Sequence, residues 1–377
     1  MRNITAAMTK QRKPNWGVEL KTCAEFIDTD DKRWRDFLKI TPHDFYHLPE
    51  YVSLEAAQEG GAATAFYAEH GAAKLLVPLL LRGLPPLLGA PVEWRDAVNP
   101  YGYPSPLFVP DGESEQSEEM QFEILWQAFC DVAAAQNIVS VFLRLHPLLP
   151  LPPPPLEKQG QLLGHGQTIF LDGSTPGAQA FAEYSKGLRY DIRRLQSAGF
   201  TVVLDDWNYY QQFIEIYHAT MQRLNADEMY YFSKDYFARL RAALGERLHL
   251  AIALSPNGEV AAGTLITTSC GIVQYHLAAT ADEYRRYSPA KLLVHWVRDW
   301  AHERGEKQFH LGGGLGGRED SLFRFKAGFS TLRADFFTYR LILDSAKYQH
   351  LVALWQRAGG RSEDGGDFFP AYRRALP

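Results

Sequence analysis

The chain has 377 residues, 46% hydrophobic and 22% charged, a globular composition with length enough for two domains. Its net charge of -5 excludes an overall electrostatic drive toward nucleic acid, although a local basic strip remains compatible with it. Cys23, Cys130 and Cys270 have neither zinc-site nor disulfide spacing, which predicts reduced, buried thiols and no metal centre.

Residues 1–17 read as a disordered lead without the apolar core of a signal peptide. The most apolar run, 75–88, is broken by Pro78, Arg82, Gly83, Pro85 and Pro86 and is too short to span a bilayer. A soluble, cytoplasmic protein with no integral membrane segment is expected. Residues 41–54 form a turn and short helix that bring Tyr46, His47 and Tyr51 together. Strands at 63–69 and 74–81 make a hairpin, and 96–107, DAVNPYGYPSPL, reads as an irregular loop. Phe122, Leu125, Trp126 and Phe129 give 116–135 a helical period, which runs into a strand at 139–145. The prolines at 152–155 make a stiff exposed connection.

The second half repeats this order. A hairpin (248–253 and 260–267) and a third strand (272–278) precede a helix at 291–303, with Leu292, Leu293, Trp296, Val297 and Trp300 on one face. Gly305 stops that helix, and a strand at 308–311 follows. Two copies of one α/β module is the economical reading. Between the copies, 181–198 reads as a helix with a basic side of Lys186, Arg189, Arg193 and Arg194. A second helix at 209–224 carries Phe213, Ile214, Tyr217 and Met221 on its apolar face. After 343 comes another helical piece, then a glycine-rich stretch at 359–366 expected to be mobile.

The segment that organises the chain is 310–329, HLGGGLGGREDSLFRFKAGF. A strand ends in a glycine-rich turn, expected to be flexible, that doubles the chain back and brings Lys326, held between Phe325 and Phe329, to a cleft between the two halves. A compact ammonium in a partly apolar pocket can polarise a carbonyl. The plainer alternative is a lysine laid over aromatic rings at a strand edge.

Five segments in order resemble the FemAB-like group of the GNAT acyltransferase superfamily, which includes peptidoglycan bridge aminoacyltransferases and BioF2-like acetyltransferases. They are NPYGYP at 99–104, YSKGLRYDIRR at 184–194 with Gly199, TMQR at 220–223, the glycine turn at 312–314, and FKAGF at 325–329. The resemblance implies an α/β fold of two tandem GNAT-like domains, each a mixed, mostly antiparallel twisted sheet flanked by helices. It divides the chain into 18–172, 173–345 with the FKAGF motif, and a C-terminal helix and tail at 346–377. It also implies transfer of an acyl or aminoacyl group, from acyl-CoA or aminoacyl-tRNA, to an amine of a small-molecule or lipid-linked cell-envelope precursor such as an amino sugar or a peptidoglycan peptide. No long heptad-bearing helical hairpin, the arm of some tRNA-using members, is present, so a thioester donor is favoured.

The resemblance places the functional lysine at Lys326. Ser288 as N-cap before Pro289, with Ala290 and Lys291 opening the helix and Arg285 and Arg286 upstream, is the candidate cradle for a cofactor pyrophosphate. The superfamily's Gly-rich loop is absent there; the sequence reads RRYSPA. Arg223 is a candidate clamp for an acceptor phosphate, with an interdomain salt bridge as its plain alternative. Arg189 on the basic helix is a candidate for a diphosphate or tRNA backbone. His276 and Asp320 are candidates for the proton-handling groups, whereas His310 stands where the resemblance implies an acid. Tyr46, Tyr101 and Tyr103 are candidate walls of an acceptor pocket. A catalytically silent double domain that binds a glycan or nucleotide-sugar is the alternative function.

Overall fold

The computed structural model describes residues 21–150, 154–360 and 368–375. The first half runs β1 (Cys23–Ile27), α1 (Lys32–Leu38), a single tight turn of helix (Phe45–His47), α2 (Pro49–Glu59), β2 (Ala62–His70), β3 (Ala73–Gly83), β4 (Arg95–Val98), β5 (Leu107–Val109), α3 (Glu118–Ala135) and β6 (Ile138–Arg144). Next come α4 (Pro154–Gln159), β7 (Gln161–Asp172), α5 (Gly177–Glu183) and α6 (Lys186–Ser197). The second half runs β8 (Thr201–Leu204), α7 (Tyr210–Leu224), α8 (Lys234–Leu244), β9 (Leu248–Leu254), β10 (Val260–Ser269), β11 (Ile272–Thr280), α9 (Ala290–Glu303), β12 (Gln308–Gly312), α10 (Ser321–Ala327), β13 (Arg333–Ile342) and α11 (Ser345–Arg357).

Among the described residues these strands form one 13-stranded sheet in the order β1-β2-β3-β4-β6-β13-β7-β12-β11-β10-β9-β8, with β5 pairing β3. The order is a palindrome of modules. In each half an antiparallel run ends in a parallel pair, β4 with β6 and β11 with β12, bridged by a crossover containing α3 or α9. The two runs meet through an antiparallel join of β13 and β7. That join is an exchange: β13, late in the chain, pairs with β6 of the first half, while β7 pairs with β12 of the second. Residue 172, where the sequence reading divides the chain, ends β7.

The chemistry of β3 shows why the sheet lies inside. Its sequence AKLLVPLLLRG is almost continuously apolar because both faces are covered. Leu76 and Leu80 face a core with Tyr51 and Val52 of α2. Leu75, Val77 and Leu79 face Phe122, Trp126 and Phe129 of α3. The α2-side core continues across the seam into α7 and α8 through Phe213, Tyr217, Tyr236 and Phe237. Tyr236 donates a buried 2.8 Å hydrogen bond to Glu55 of α2, and desolvation raises that carboxyl to about 7.

The repeated hairpin, helix and strand stand where the sequence places them, with several differences. The loop expected at 96–107 begins as strand, because Ala97 and Val98 register against Val141 and Phe142. The helix expected at 181–198 breaks at Tyr184, which is extended, and Ser185 then caps α6 by accepting from the Leu188 N–H. Part of the proline run opens α4, while 151–153 lie outside the described residues, as do the expected lead at 1–17 and most of the glycine-rich tail. Cys23 and Cys270 are exposed rather than buried, since both sit at strand ends by the surface. Among the described residues no helix is long and apolar enough to cross a membrane, and no group of three or more His, Cys, Asp or Glu side chains could hold a metal ion.

Candidate active site

The parallel pair in the second half comes apart early. β11 and β12 register only from Ile272–Gln308 to Gln274–His310, after which β11 continues to Thr280 and β12 stops at Gly312. A wedge therefore opens beyond Gln274 and His310. At its base β12 carries a bulge between His310 and Gly312, and Gly312 takes a φ of +75°. The chain turns back through 313–319 into α10, which carries Lys326.

Lys326 is 8% exposed, and its ammonium donates a 2.7 Å hydrogen bond to the Gly313 carbonyl. Burial lowers it to about 8, against the opposing pull of Asp320. A Cβ on Gly312 would lie 3.4 Å from Lys326 Nζ and 3.7 Å from the Tyr103 hydroxyl, so both groups converge on this bulge. The expected aromatic clamp does not form. FKAGF is the end of a helix and the start of a turn, and Phe325 and Phe329 pack against one another at 5.5 Å on a different face from Lys326. Phe329 continues to Tyr184 at 5.3 Å, inside the core of the second half. The glycine turn is tight rather than flexible. A Cβ on Gly317 would fall 1.7 Å from the His165 carbonyl, and one on Gly314 would fall 1.9 Å from that of Arg318.

Tyr103, from the first half, reaches the same bulge as Lys326, and Tyr46 stands behind it. Tyr46 fills the space over Gly102, where a Cβ would sit 2.0 Å from its ring, and stands edge-on to Tyr103 at 5.8 Å. Asn99 anchors the Tyr103 loop by donating to the Arg144 carbonyl at 2.9 Å and accepting from its N–H at 3.1 Å. Burial raises Tyr103 to about 12, which keeps its hydroxyl a donor. Tyr101 turns away to Tyr230 at 6.1 Å.

Behind Tyr103 lies a buried polar chain that crosses from one half to the other. Asp44, His146, Gln274 and His310 are each at most 4% exposed. Asp44 Oδ2 accepts from His146 Nε2 at 2.9 Å and from the Gln274 side-chain amide, while Gln274 Oε1 meets His310 Nδ1 at 2.8 Å. His310 Nε2 has no hydrogen-bond partner among the described residues, and its ring lies 5.5 Å from that of Tyr103. Burial, with His146 and Lys326 nearby, holds His310 well below the usual imidazole range.

The remaining predicted site residues divide. His276, two positions beyond Gln274 on the same face of β11, packs edge-on to Phe45 at 5.1 Å, and burial lowers it to about 4. Asp320 caps α10 and accepts from the N–H groups of Phe323 and Leu315, both at 2.9 Å, so its oxygens hold the loop. Arg223 pairs with Asp282 inside the second half, rather than across to the first half. Ser288 is not the N-cap of α9. It adopts left-handed backbone (φ +56°), and its carbonyl accepts from Lys291 N–H while that of Pro289 accepts from Leu292 N–H. The start of α9 thus spends two N–H groups internally, and the Lys291 ammonium bonds Asp191 at 2.6 Å. A backbone pyrophosphate cradle does not fit this turn, Ala290 included. Arg285 and Arg286 are exposed there, while Arg189 lies on α6, which Lys291 ties to α9. Sequence reasoning missed Asp44, His146, Gln274 and Arg144, whose Nη1 is buried without a hydrogen-bond partner among the described residues. As isolated polar residues they carry no spacing signal.

Residues 182–326 match the family described as an acetyltransferase (GNAT) domain. The chain superposes on the crystal structure of FemX with a TM-score of 0.66, at 14% identity, over 86% of this chain and 99% of that one. The fold is that of the FemAB-like GNAT group. L-PGS from Bacillus licheniformis matches the chain at a TM-score of 0.53 and 14% identity, covering 89% of this chain and 98% of that one. The C-terminal DUF2156 domain of an Agrobacterium fabrum protein matches at a TM-score of 0.51 and 14% identity, over 84% and 92%. No curated protein matches the chain in sequence.

Proposed function

We propose that this protein transfers an acyl or aminoacyl group from an activated donor to the amine of a cell-envelope precursor, an amino sugar or a peptidoglycan peptide, in the cytoplasm. The observation that carries the reading is the buried Lys326 ammonium, set with the Tyr103 hydroxyl at the bulged end of β12 in a GNAT domain. Attack of an amine on an ester or thioester carbonyl develops negative charge on the carbonyl oxygen. Two donors fixed in a water-poor seam stabilise that charge far more than they would in water. Lys326 supplies the charge and Tyr103 the second hydrogen bond.

The wedge between β11 and β12 takes the acyl arm of the donor. With no backbone cradle at α9, its phosphates fall to side chains, foremost Arg285 and Arg286. Acyl-CoA suits this arrangement, since a compact diphosphate needs only a few cations. The exposed Lys186, Arg193 and Arg194 on the neighbouring α6 favour aminoacyl-tRNA as the second reading. Arg144, beside Tyr101 and Tyr103, suits an anionic group on the acceptor.

The test combines binding and turnover. Thermal shifts with acetyl-CoA, charged tRNA and a UDP-amino sugar identify the donor class. Mass spectrometry of acceptor amines incubated with that donor reads transfer. Acylated product supports the proposal. Stabilisation by the UDP-sugar alone, with no product from any donor, makes the double domain a binding module.

A further inference from the structure

The acyl-transfer reading assigns groups to the developing oxyanion but none to the proton that must leave the attacking amine. We propose that His310 Nε2 accepts that proton, and that Gln274 and Asp44 hold the imidazole in the tautomer that can do so. This inference rests on the acyl-transfer reading and adds the base.

The logic runs along the buried chain from its fixed end. Asp44 Oδ1 accepts from the Phe45 N–H at 2.6 Å, so the carboxylate is anchored at the single tight turn of helix Phe45–His47. His146 Nδ1 accepts from the Leu148 N–H at 3.1 Å, which leaves its Nε2 proton to donate to Asp44 Oδ2. The same oxygen meets Gln274, and because Asp44 offers only acceptors there, the amide must present its NH2. That orientation turns Gln274 Oε1 toward His310, so His310 Nδ1 must carry a proton to donate to it. The remaining nitrogen, Nε2, is left with a bare lone pair in a fully buried position. A buried acceptor with nothing to accept costs stability unless a ligand uses it. Asp44 and Gln274 act through His310 and are positioning residues.

The surroundings select His310 over the other buried histidines. His47 has both nitrogens engaged, Nε2 by the Ser105 carbonyl at 3.0 Å and Nδ1 at the Asp44 backbone. His276 Nε2 is also unpartnered among the described residues, but its ring packs against Phe45 and Tyr46 and none of those residues fixes its tautomer by a hydrogen bond. His310 lies two residues before the Gly312 bulge, beside Tyr103 and close enough to Lys326 to feel its charge. The groups facing it are Gln274 of β11, His146 after β6, Tyr103 of the 99–106 loop and Lys326 of α10, with Asp44 one bond further through Gln274. Two neighbouring cations or imidazoles and full burial favour the neutral ring, which is the form a base needs.

The step balances. The amine nitrogen forms its bond to the donor carbonyl carbon as its proton passes to His310 Nε2. Collapse of the tetrahedral species breaks the bond to the donor's sulfur or oxygen. The imidazolium then returns the proton to that leaving group.

The experiment measures kcat against pH for the wild type, His310→Asn, Gln274→Glu and Lys326→Met, each checked for folding by its thermal melt. With His310 as base, wild-type kcat holds its plateau below pH 6.5 before falling on the acid side. His310→Asn lowers kcat by about 100-fold or more with KM little changed. Gln274→Glu places a carboxylate against Nδ1 and moves the acidic limb upward by about one pH unit, which a merely structural role would not do. A wild-type acidic limb already complete above pH 6.5 overturns the assignment even if every variant misfolds. So does undiminished turnover in a folded His310→Asn. Absence of turnover in the wild type with every donor refutes the acyl-transfer reading itself, while an inactive Lys326→Met beside a fully active His310→Asn leaves that reading intact and removes only the base.

Discussion

Replacing Lys326 with methionine should change how stability depends on pH, and the change can be worked out from the burial of the ammonium. A lysine titrating at about 8 in the folded chain and at 10.5 in the unfolded one bears a penalty of about 3 kcal/mol for its charge at neutral pH. The folded-state value is depressed, so between about 8 and 10.5 the unfolded chain binds more protons and wild-type stability rises with pH. Methionine has no such term. It also forfeits the hydrogen bond to the Gly313 carbonyl, a loss of about 1–3 kcal/mol at every pH. At pH 7 the two effects nearly cancel, and the variant should be as stable as the wild type or slightly more so. At pH 10 only the loss remains. Urea unfolding of both proteins from pH 7 to pH 10 should show their difference drifting by about 2–3 kcal/mol against the variant. Parallel stability curves would refute the reasoning, because they would mean that the ammonium is solvated.

Glu55 offers the opposite sign. Its folded value is raised from 4.5 to about 7, so its contribution is present below pH 4.5 and is lost as pH rises through 7. Glu55→Gln keeps an acceptor for Tyr236 and should stabilise the protein at pH 8 by about 2 kcal/mol, read by denaturant midpoint, with no gain at pH 4. Asp320→Asn should cost about 1 kcal/mol of stability yet keep turnover within about tenfold of the wild type, as expected of a helix cap rather than a proton carrier. Gly317→Ala combines a left-handed position with a clash against the His165 carbonyl. It should destabilise by more than about 1 kcal/mol and cut kcat as the Gly313 carbonyl shifts.

How far the sequence reached depended on whether a signal was local. β3 and α3 announce themselves because continuous burial and a helical stripe are written in adjacent residues. β7 does not: its run QLLGHGQTIFLD contains Gly164 and Gly166, and its partners β12 and β13 come far later in the chain. No periodicity records that exchange, although it joins the halves into one sheet. FKAGF drew attention to Lys326 for an incomplete physical reason, since the helix that carries it sends the two phenylalanines into the core and Lys326 to the seam. Asp44, His146 and Gln274, the partners that lead to His310, were silent because each is a lone polar residue in or beside apolar structure. Only the topology brings them within hydrogen-bond reach.

The most direct test of the account is the single-turnover rate of acyl transfer by Lys326→Met, followed by mass spectrometry of the acceptor with the donor that the wild type uses. Loss of one preorganised cation at the oxyanion should slow the chemical step by about 100- to 1,000-fold in a protein that melts like the wild type. A folded Lys326→Met that transfers the acyl group at the wild-type rate would contradict it.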